Sequence, residues 1–416
     1  MRILGIETSC DETAVSVCEM TDGIVNMLSN TVVSQIDIHK AYGGVVPEVA
    51  ARSHIEAIIP TIDESLKTAF STDDTADAWD KIDGIAVTYG AGLGGALLIG
   101  TLTAKTLAVV KNKPLYAVSH VLGHVYANFT TSTSILPDTS LPTPVLGRSS
   151  NSAPSSDPRG RLVSDKIDIL TKTPASSTSI SPSLQGATLQ SYFLPERQPE
   201  FPLLALVVSG KHCHIALFTD HFTYTVLGKT HDDAIGEAFD KVAKMTGLPY
   251  PGGPAIAWAA TKGDPFAFTL PTPKMESQYD TSFSGLKTAV LRKAQMMCGH
   301  DHTLPSKEIP PLLSSEQVND ISAVFQRVAI ASIVDKAKLA YEEFLPKDVI
   351  IAGGVASSHE LRRQLSEALP IEPIYTDPKL CTDNGAMVAS LGCFMASLGV
   401  EPTDPFTLEI APSLQM

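Results

Sequence analysis

No Cys-x-x-Cys pair occurs in the 416 residues, and the six cysteines (10, 18, 213, 298, 381 and 393) are scattered. That excludes a zinc ribbon and a disulfide framework, so reduced thiols are expected. Long hydrophobic runs are equally scarce. The apolar stretch 3–6 stops at Glu7, too early for a signal-peptide core, and a cytoplasmic protein is expected. One uncharged run of 21 residues, 84–104, is broken by six glycines and three threonines. It reads as strand, glycine turn and helix, so no membrane span is expected. Basic charge is in deficit, with 31 Lys and Arg against 45 Asp and Glu and a net charge of −14. Nucleic acid or an acidic membrane is repelled at long range, and any such partner must meet a local basic patch. With 44% hydrophobic and 18% charged residues the chain is neither disordered nor fibrous, and its length suits two or three domains.

What is present is a repeated pattern. Residues 2–7, 14–19 and 24–33 alternate as a three-strand meander with a polar turn at 8–12. Helical spacing from Pro47 to about 66 follows, then a strand at 84–88, a helix at 95–110, a strand at 115–118 and a helix carrying His120 and His124. Between 131 and 200, 32 of 70 residues are Ser, Thr or Pro. Such a segment buries too little to offset its ordering entropy and is expected to be a flexible insertion, with 161–170 and 187–194 as candidates for a short element. A second meander opens at 203–209, 214–219 and 222–227. Helices near 232–247, 285–297 and 315–343, a strand at 348–352, a helix from His359 and a last helix from about Asp383 complete the order. Two α/β lobes facing each other over a cleft are expected, one from 1–130 plus about 384–416, the other from 201–383.

Two histidines four apart on a helix leave the same face, about 5–6 Å apart at Cβ, which suits one metal ion. Alone, His120 and His124 are equally two hydrogen-bonded helix histidines, and Asp383 alone is equally an N-cap. Together, two imidazoles and a carboxylate would hold a cation and leave positions open for substrate. Glycine turns at Ser209-Gly210 and Pro251-Gly-Gly-Pro254 present backbone N–H groups suited to an oxyanion, and are otherwise ordinary turns. Tyr89-Gly-Ala-Gly-Leu-Gly-Gly95 lacks the Lys-Ser/Thr ending of a Walker loop. Among the acids, Asp11 and Glu12 occupy the first meander turn, and Asp240 stands out from the helix charges Asp232, Asp233 and Glu237 by heading the approach to the Pro-Gly-Gly-Pro turn. His300 and His302 read as part of a polar loop.

Several segments then fall in one family's order: Gly5-Ile-Glu-Thr-Ser-Cys-Asp-Glu-Thr13, Tyr42-Gly-Gly-Val-Val-Pro-Glu48, the His120/His124 helix, Gly236-Glu-Ala-Phe-Asp-Lys241, Tyr250-Pro-Gly-Gly-Pro254, Phe283-Ser-Gly-Leu-Lys-Thr-Ala289 and Cys381-Thr-Asp-Asn-Gly-Ala386. They resemble the bacterial tRNA N6-adenosine threonylcarbamoyltransferases, the TsaD-type family once called O-sialoglycoprotein endopeptidases. The resemblance covers nearly everything outside 131–200. It implies a two-lobed α/β actin-like ATPase (ASKHA) fold with duplicated βββαβα cores. It implies His120, His124 and Asp383 as ligands of one divalent metal, iron first and zinc second. It implies Val207, Val208, Ser209, Gly210, Lys211, Asp240, Gly253 and Ser358 as contacts of a threonylcarbamoyl-AMP substrate, with Asp11 the candidate catalytic base or amine positioner. The implied reaction transfers the threonylcarbamoyl group to N6 of adenosine 37 in tRNAs reading codons that begin with A. The implied partners are tRNA, a smaller paralogous subunit (TsaB type) pairing through the N-terminal lobe, and a small ATPase (TsaE type).

The chain departs from the family's pattern at Lys211, where a glycine is usual, at Ser358 for an asparagine, at Ala257 for an acid, and within Ser119-His-Val-Leu-Gly-His124. Those departures favour a non-catalytic nucleotide-binding partner of the same fold, and the intact His120, His124 and Asp383 favour an enzyme. A metalloprotease is the rival chemistry, but it needs a glutamate beside the first histidine, and Val121 stands there.

Overall fold

The structure is a computed structural model describing residues 1–131, 136–137, 189–190, 192, 194–272 and 275–416. Three apolar-rich strands, β1 (Arg2–Glu7), β2 (Glu12–Thr21) and β3 (Ile24–Ser34), open the chain as an antiparallel meander. Helices α1 (Ile36–Lys40), α2 (Pro47–Phe70) and α3 (Thr75–Asp80) lead to β4 (Gly84–Gly90), which pairs parallel to β1. Helix α4 (Gly94–Lys111) crosses to β5 (Leu115–Ser119), parallel to β4, and α5 (His120–Tyr126) follows without a loop. The short β6 (Thr130–Thr131) closes the sheet in the order β5-β4-β1-β2-β3-β6, and β7 (Leu136–Pro137) pairs with β8 (Leu189–Gln190).

The second lobe repeats the plan. Strands β9 (Leu203–Val208), β10 (Cys213–Asp220) and β11 (Thr223–Lys229) form its meander. Helices α6 (Ile235–Thr246), α7 (Gly252–Ala260), α8 (Ser284–Met297) and α9 (Ser315–Phe344) then cover the sheet, and β12 (Asp348–Ala352) pairs parallel to β9, giving the order β11-β10-β9-β12. Last come α10 (His359–Ala368), α11 (Pro378–Cys381) and α12 (Gly385–Ser397), the last packed on β1 and β2. Two meanders, each extended by parallel strands through helical crossovers, make the actin-like ATPase fold.

Strand alternation decides where the cores lie. Leu4 and Ile6 of β1 face Ile58, Ile62 and Leu66 of α2, while Ile3 faces the other way, into a core shared with α12 and α5. In β9, Leu203, Ala205 and Val207 join that same middle core, and Leu204, Leu206 and Val208 face the helices of the second lobe. The middle core therefore runs unbroken between the sheets and fixes α5 and α12 against both.

Three expectations shift. The last helix begins at Gly385, because Asn384 is its N-cap and accepts from the Met387 amide. Helix α6 begins at Ile235, so Asp232 and Asp233 precede it; Asp233 is bound by Lys241 and Lys287. Packed chain resumes before 201. Leu194 is buried, and the Arg197 guanidinium donates to both carboxylate oxygens of Asp348 at 2.6 Å. The anticipated element at 161–170 lies outside the described residues; within 187–194, residues 189–190 pair with 136–137.

A candidate metal centre and a cavity in the second lobe

Strand β5 ends at Ser119, whose hydroxyl caps α5 by accepting from Leu122 N, so the helix starts on His120 and shows His124 one turn later. The two rings stand 4.7 Å apart. From the other side, the Asn384 amide donates to the carbonyls of Leu380 and Thr382, which fixes the bend before α12. Because Asn384 does the capping, the neighbouring Asp383 carboxylate is free to turn inward. Its Oδ1 lies 3.6 Å from His120 Nε2 and 3.3 Å from His124 Nε2. One ligand atom from each of the three falls within 4.8 Å of the others.

Behind His120, Nδ1 meets Ser9 Oγ at 3.1 Å and Glu7 Oε2 at 3.4 Å. Glu7 is fully buried and accepts from Thr88 Oγ1 and from the Ser9 amide, both at 2.5 Å. An Nδ1–H directed at this carboxylate leaves the Nε2 lone pair facing Asp383. Both ring nitrogens of His124 are buried without a hydrogen-bond partner. Buried polar atoms are rarely left so. A cation at the meeting point would satisfy Nε2, which faces Asp383, and a donor set of two imidazoles and a carboxylate suits iron(II) or zinc. The local field agrees. Burial alone would lower the His120 pKa, but the Asp383 and Glu7 carboxylates outweigh it and push it up to about 9. Burial would raise Asp383, yet His120 and His124 hold it well below the usual carboxylate range.

Asp11 is buried in the turn between β1 and β2, and its carboxyl hydrogen-bonds that of Glu12. Burial, then the charges of Asp11 and Asp383, push Glu12 well above the usual range. On the facing lobe, Ser209 Oγ accepts from the amides of Lys211 and His212 and shapes the 209–212 turn. Lys211 reaches from this turn across to the first lobe, with Nζ 3.5 Å from Cys10 Sγ. The His212 ring lies 6.0 Å from that of His120 and is pushed down to about 3, first by burial and then by His120. Glu7, Ser9, Cys10, Glu12 and His212 were not assigned roles from the sequence. The consecutive acids at 11 and 12 in a turn were the available signal; the rest depends on the approach of the two lobes.

On its other side the same turn borders a cavity of about 670 Å³, lined by Gly210, Asp240, Gly253 and Ser358, together with Trp258 and Gln326. Asp240 Oδ1 accepts from Gly252 N at 2.6 Å, and Ser358 caps α10 by accepting from Leu361 N. Burial pushes Asp240 upward.

Comparison with known proteins places the chain in a family. The family model described as TsaD, tRNA N6-adenosine threonylcarbamoyltransferase, matches residues 26–144 and 182–390. Curated proteins of that name are similar along the whole chain. The one from Thermomicrobium roseum is 39% identical over 407 residues, covering 96% of this chain and 93% of its own. The one from Symbiobacterium thermophilum is 40% identical over 401 residues, covering 96% and 92%. The chain belongs to the TsaD family. Among solved structures, full-length HypF in its phosphate- and nucleotide-bound form aligns at 13% identity and a TM-score of 0.48, covering 97% of this chain and 47% of that one.

Three of the residues expected to contact substrate are absent from the cavity lining. Val207 and Val208 are fully buried in β9, one side chain in each hydrophobic core, so neither side chain faces the cavity. Strand alternation forces this, and only their backbone leads toward Ser209. Lys211 is directed away from the cavity as well, toward the histidines and Asp383.

Proposed function

We propose that the chain transfers a threonylcarbamoyl group from threonylcarbamoyl-AMP to N6 of adenosine 37 in tRNAs reading codons that begin with A, releasing AMP. One observation carries the reading: the 209–212 turn borders both a cavity of nucleotide size and the His120, His124 and Asp383 cluster. An adenylate bound in the cavity would present its acyl end to that cluster.

His120, His124 and Asp383 would hold one divalent ion, iron first and zinc second, which supplies Lewis acidity to oxygens of the threonylcarbamoyl group when bound. Glu7 and Ser9 keep the His120 ring turned to that task. Gly210 and Gly253 let the backbone approach the phosphate and ribose, with Asp240 and Ser358 as polar contacts. Lys211 adds an ammonium where the departing phosphate gathers charge. The adenosine N6 forms a bond to the carbamoyl carbon, and the bond from that carbon to the phosphate oxygen breaks. AMP leaves with the electron pair, and Asp11, beside Glu12, takes the amine proton. Proteolysis is disfavoured, because Glu7 sits behind His120 at Nδ1, where it cannot activate a water on the open side.

A cytoplasmic setting with no membrane, a TsaB-type subunit on the first lobe and a TsaE-type ATPase complete the proposal. Purified protein mixed with threonylcarbamoyl-AMP, matching tRNA and these helpers should yield modified adenosine by mass analysis of nucleosides, and His120→Ala should yield none. No product from wild type, or undiminished product from the variant, would defeat it.

A further inference from the structure

We infer that the Lys211 side chain is a movable counter-charge that makes this chain bind its adenylate and its metal ion cooperatively. The inference rests on the reading above, which puts an anionic phosphate on one side of the 209–212 turn and a cation on the other. The backbone of that turn is fixed. Ser209 N donates to His212 O at 2.8 Å, Ser209 Oγ accepts from the amides of Lys211 and His212, and Gly236 N donates to Ser209 O at 3.2 Å. A Cβ on Gly236 would meet Gly210 Cα at 2.7 Å, so the start of α6 presses directly on the turn.

The side chain is not fixed in this way. Lys211 is exposed, makes no ion pair among the described residues, and leans across the lobes onto one contact, Cys10 Sγ at 3.5 Å. A thiol is a weak acceptor and is uncharged at neutral pH, and burial pushes Cys10 higher still. From this position the ammonium acts on the candidate centre. After burial and the Asp383 and Glu7 carboxylates it is the next influence on His120, and after burial and the two histidines the next on Asp383. A cation entering there meets a like charge. A phosphate at Gly210, where a Cβ would meet nothing within 4 Å, offers the ammonium a charged partner in place of the thiol. A charge that stayed put would shift each affinity by a constant and couple nothing. One that leaves the metal side for the phosphate side lifts the repulsion as the adenylate binds, and by linkage the metal then tightens the adenylate equally.

The test titrates zinc against a competing chelator in the full chain at low salt, with and without AMP, and without tRNA or partner subunits. Wild type should bind zinc about five- to tenfold tighter with saturating AMP, and AMP tighter by the same factor with zinc. Lys211→Met keeps the length and removes the charge. It should bind zinc about tenfold tighter than wild type when AMP is absent and lose the AMP effect, whereas Lys211→Arg should behave as wild type. Raising the salt to about 1 M should shrink the gap between wild type and Lys211→Met. A lysine that merely shaped the turn would give the opposite sign, with Lys211→Met binding zinc more weakly. That result, or no AMP effect in wild type, or an AMP effect undiminished in Lys211→Met, overturns the inference and leaves the transfer reaction standing. If wild type binds no AMP, both readings fall.

Discussion

Glu7 touches no proposed substrate atom, yet it governs the centre through His120. Its two oxygens are committed to Ser9 N, Thr88 Oγ1 and His120 Nδ1. A glutamine here would place an amide N–H against both the threonine hydroxyl and the imidazole, or in the other flip against the Ser9 amide, and would remove the charge that favours Nδ1–H. Glu7→Gln should therefore lower iron or zinc affinity roughly 10–100-fold in a competition titration, with the fold intact. Unchanged affinity would mean the buried carboxylate is structural only. The spacing of His120 and His124 was legible because helix periodicity alone puts both rings on one face. Asp383 was legible only as one of two readings. Asn384, which takes over the capping and frees the carboxylate, decided between them, and nothing in Cys-Thr-Asp-Asn-Gly says beforehand which of the two polar side chains will cap.

At the scale of elements, the centre depends on how closely α12 approaches the first sheet. A Cβ on Gly385 would collide with the β2 backbone at Val15 and Ser16, and one on Gly5 would collide with α12 at Ala389. Gly385→Ala must push the helix start outward, and Asp383 is only two residues away. Destabilisation of about 1–3 kcal/mol is expected, together with weakened metal binding, both measurable by thermal melts with and without added zinc. Element identity was readable from periodicity nearly throughout. The entry to the second lobe was not, since the polar run to 200 hides Arg197 and its partner Asp348, which lie 151 positions apart. Burial would raise the Asp348 pKa, but the Arg197 hydrogen bonds and the Glu200 amide outweigh it and hold it below the usual range. That stabilisation is present above the unfolded carboxylate value, about 3.9, and is lost as pH falls through the lower folded value. Arg197→Ala should cost about 1–2 kcal/mol at pH 7, an amount reduced by the exposure of the arginine, and the gap to wild type should close below about pH 4 in denaturant titrations.

For the whole molecule, the duplicated meander was visible in the sequence as two runs of strand, turn and strand. The strand order was not, because β4 pairing beside β1 and β12 beside β9 are long-range contacts that local pattern does not specify. The same packing leaves one face of the first lobe apolar and uncovered. Gly95 of α4 packs closely on Ala51 of α2, and on either side of that crossing Ile55, Ile59, Leu98 and Leu102 are each more than half exposed. Ile55 and Ile59 are one turn apart on α2, and Leu98 and Leu102 one turn apart on α4, so the four residues form paired exposed ridges, none of them among the cavity lining. Ridges of this kind suit a partner with a matching pair of helices, such as a smaller subunit of the same lobe architecture. Ile59→Glu combined with Leu98→Glu should leave AMP and metal binding by the isolated chain within about twofold. Co-purification with a TsaB-type subunit should be abolished by charges placed at the centre of the contact, and tRNA modification in the reconstituted mixture should fall with it. Retention of the complex by the double variant would move the subunit contact to another face.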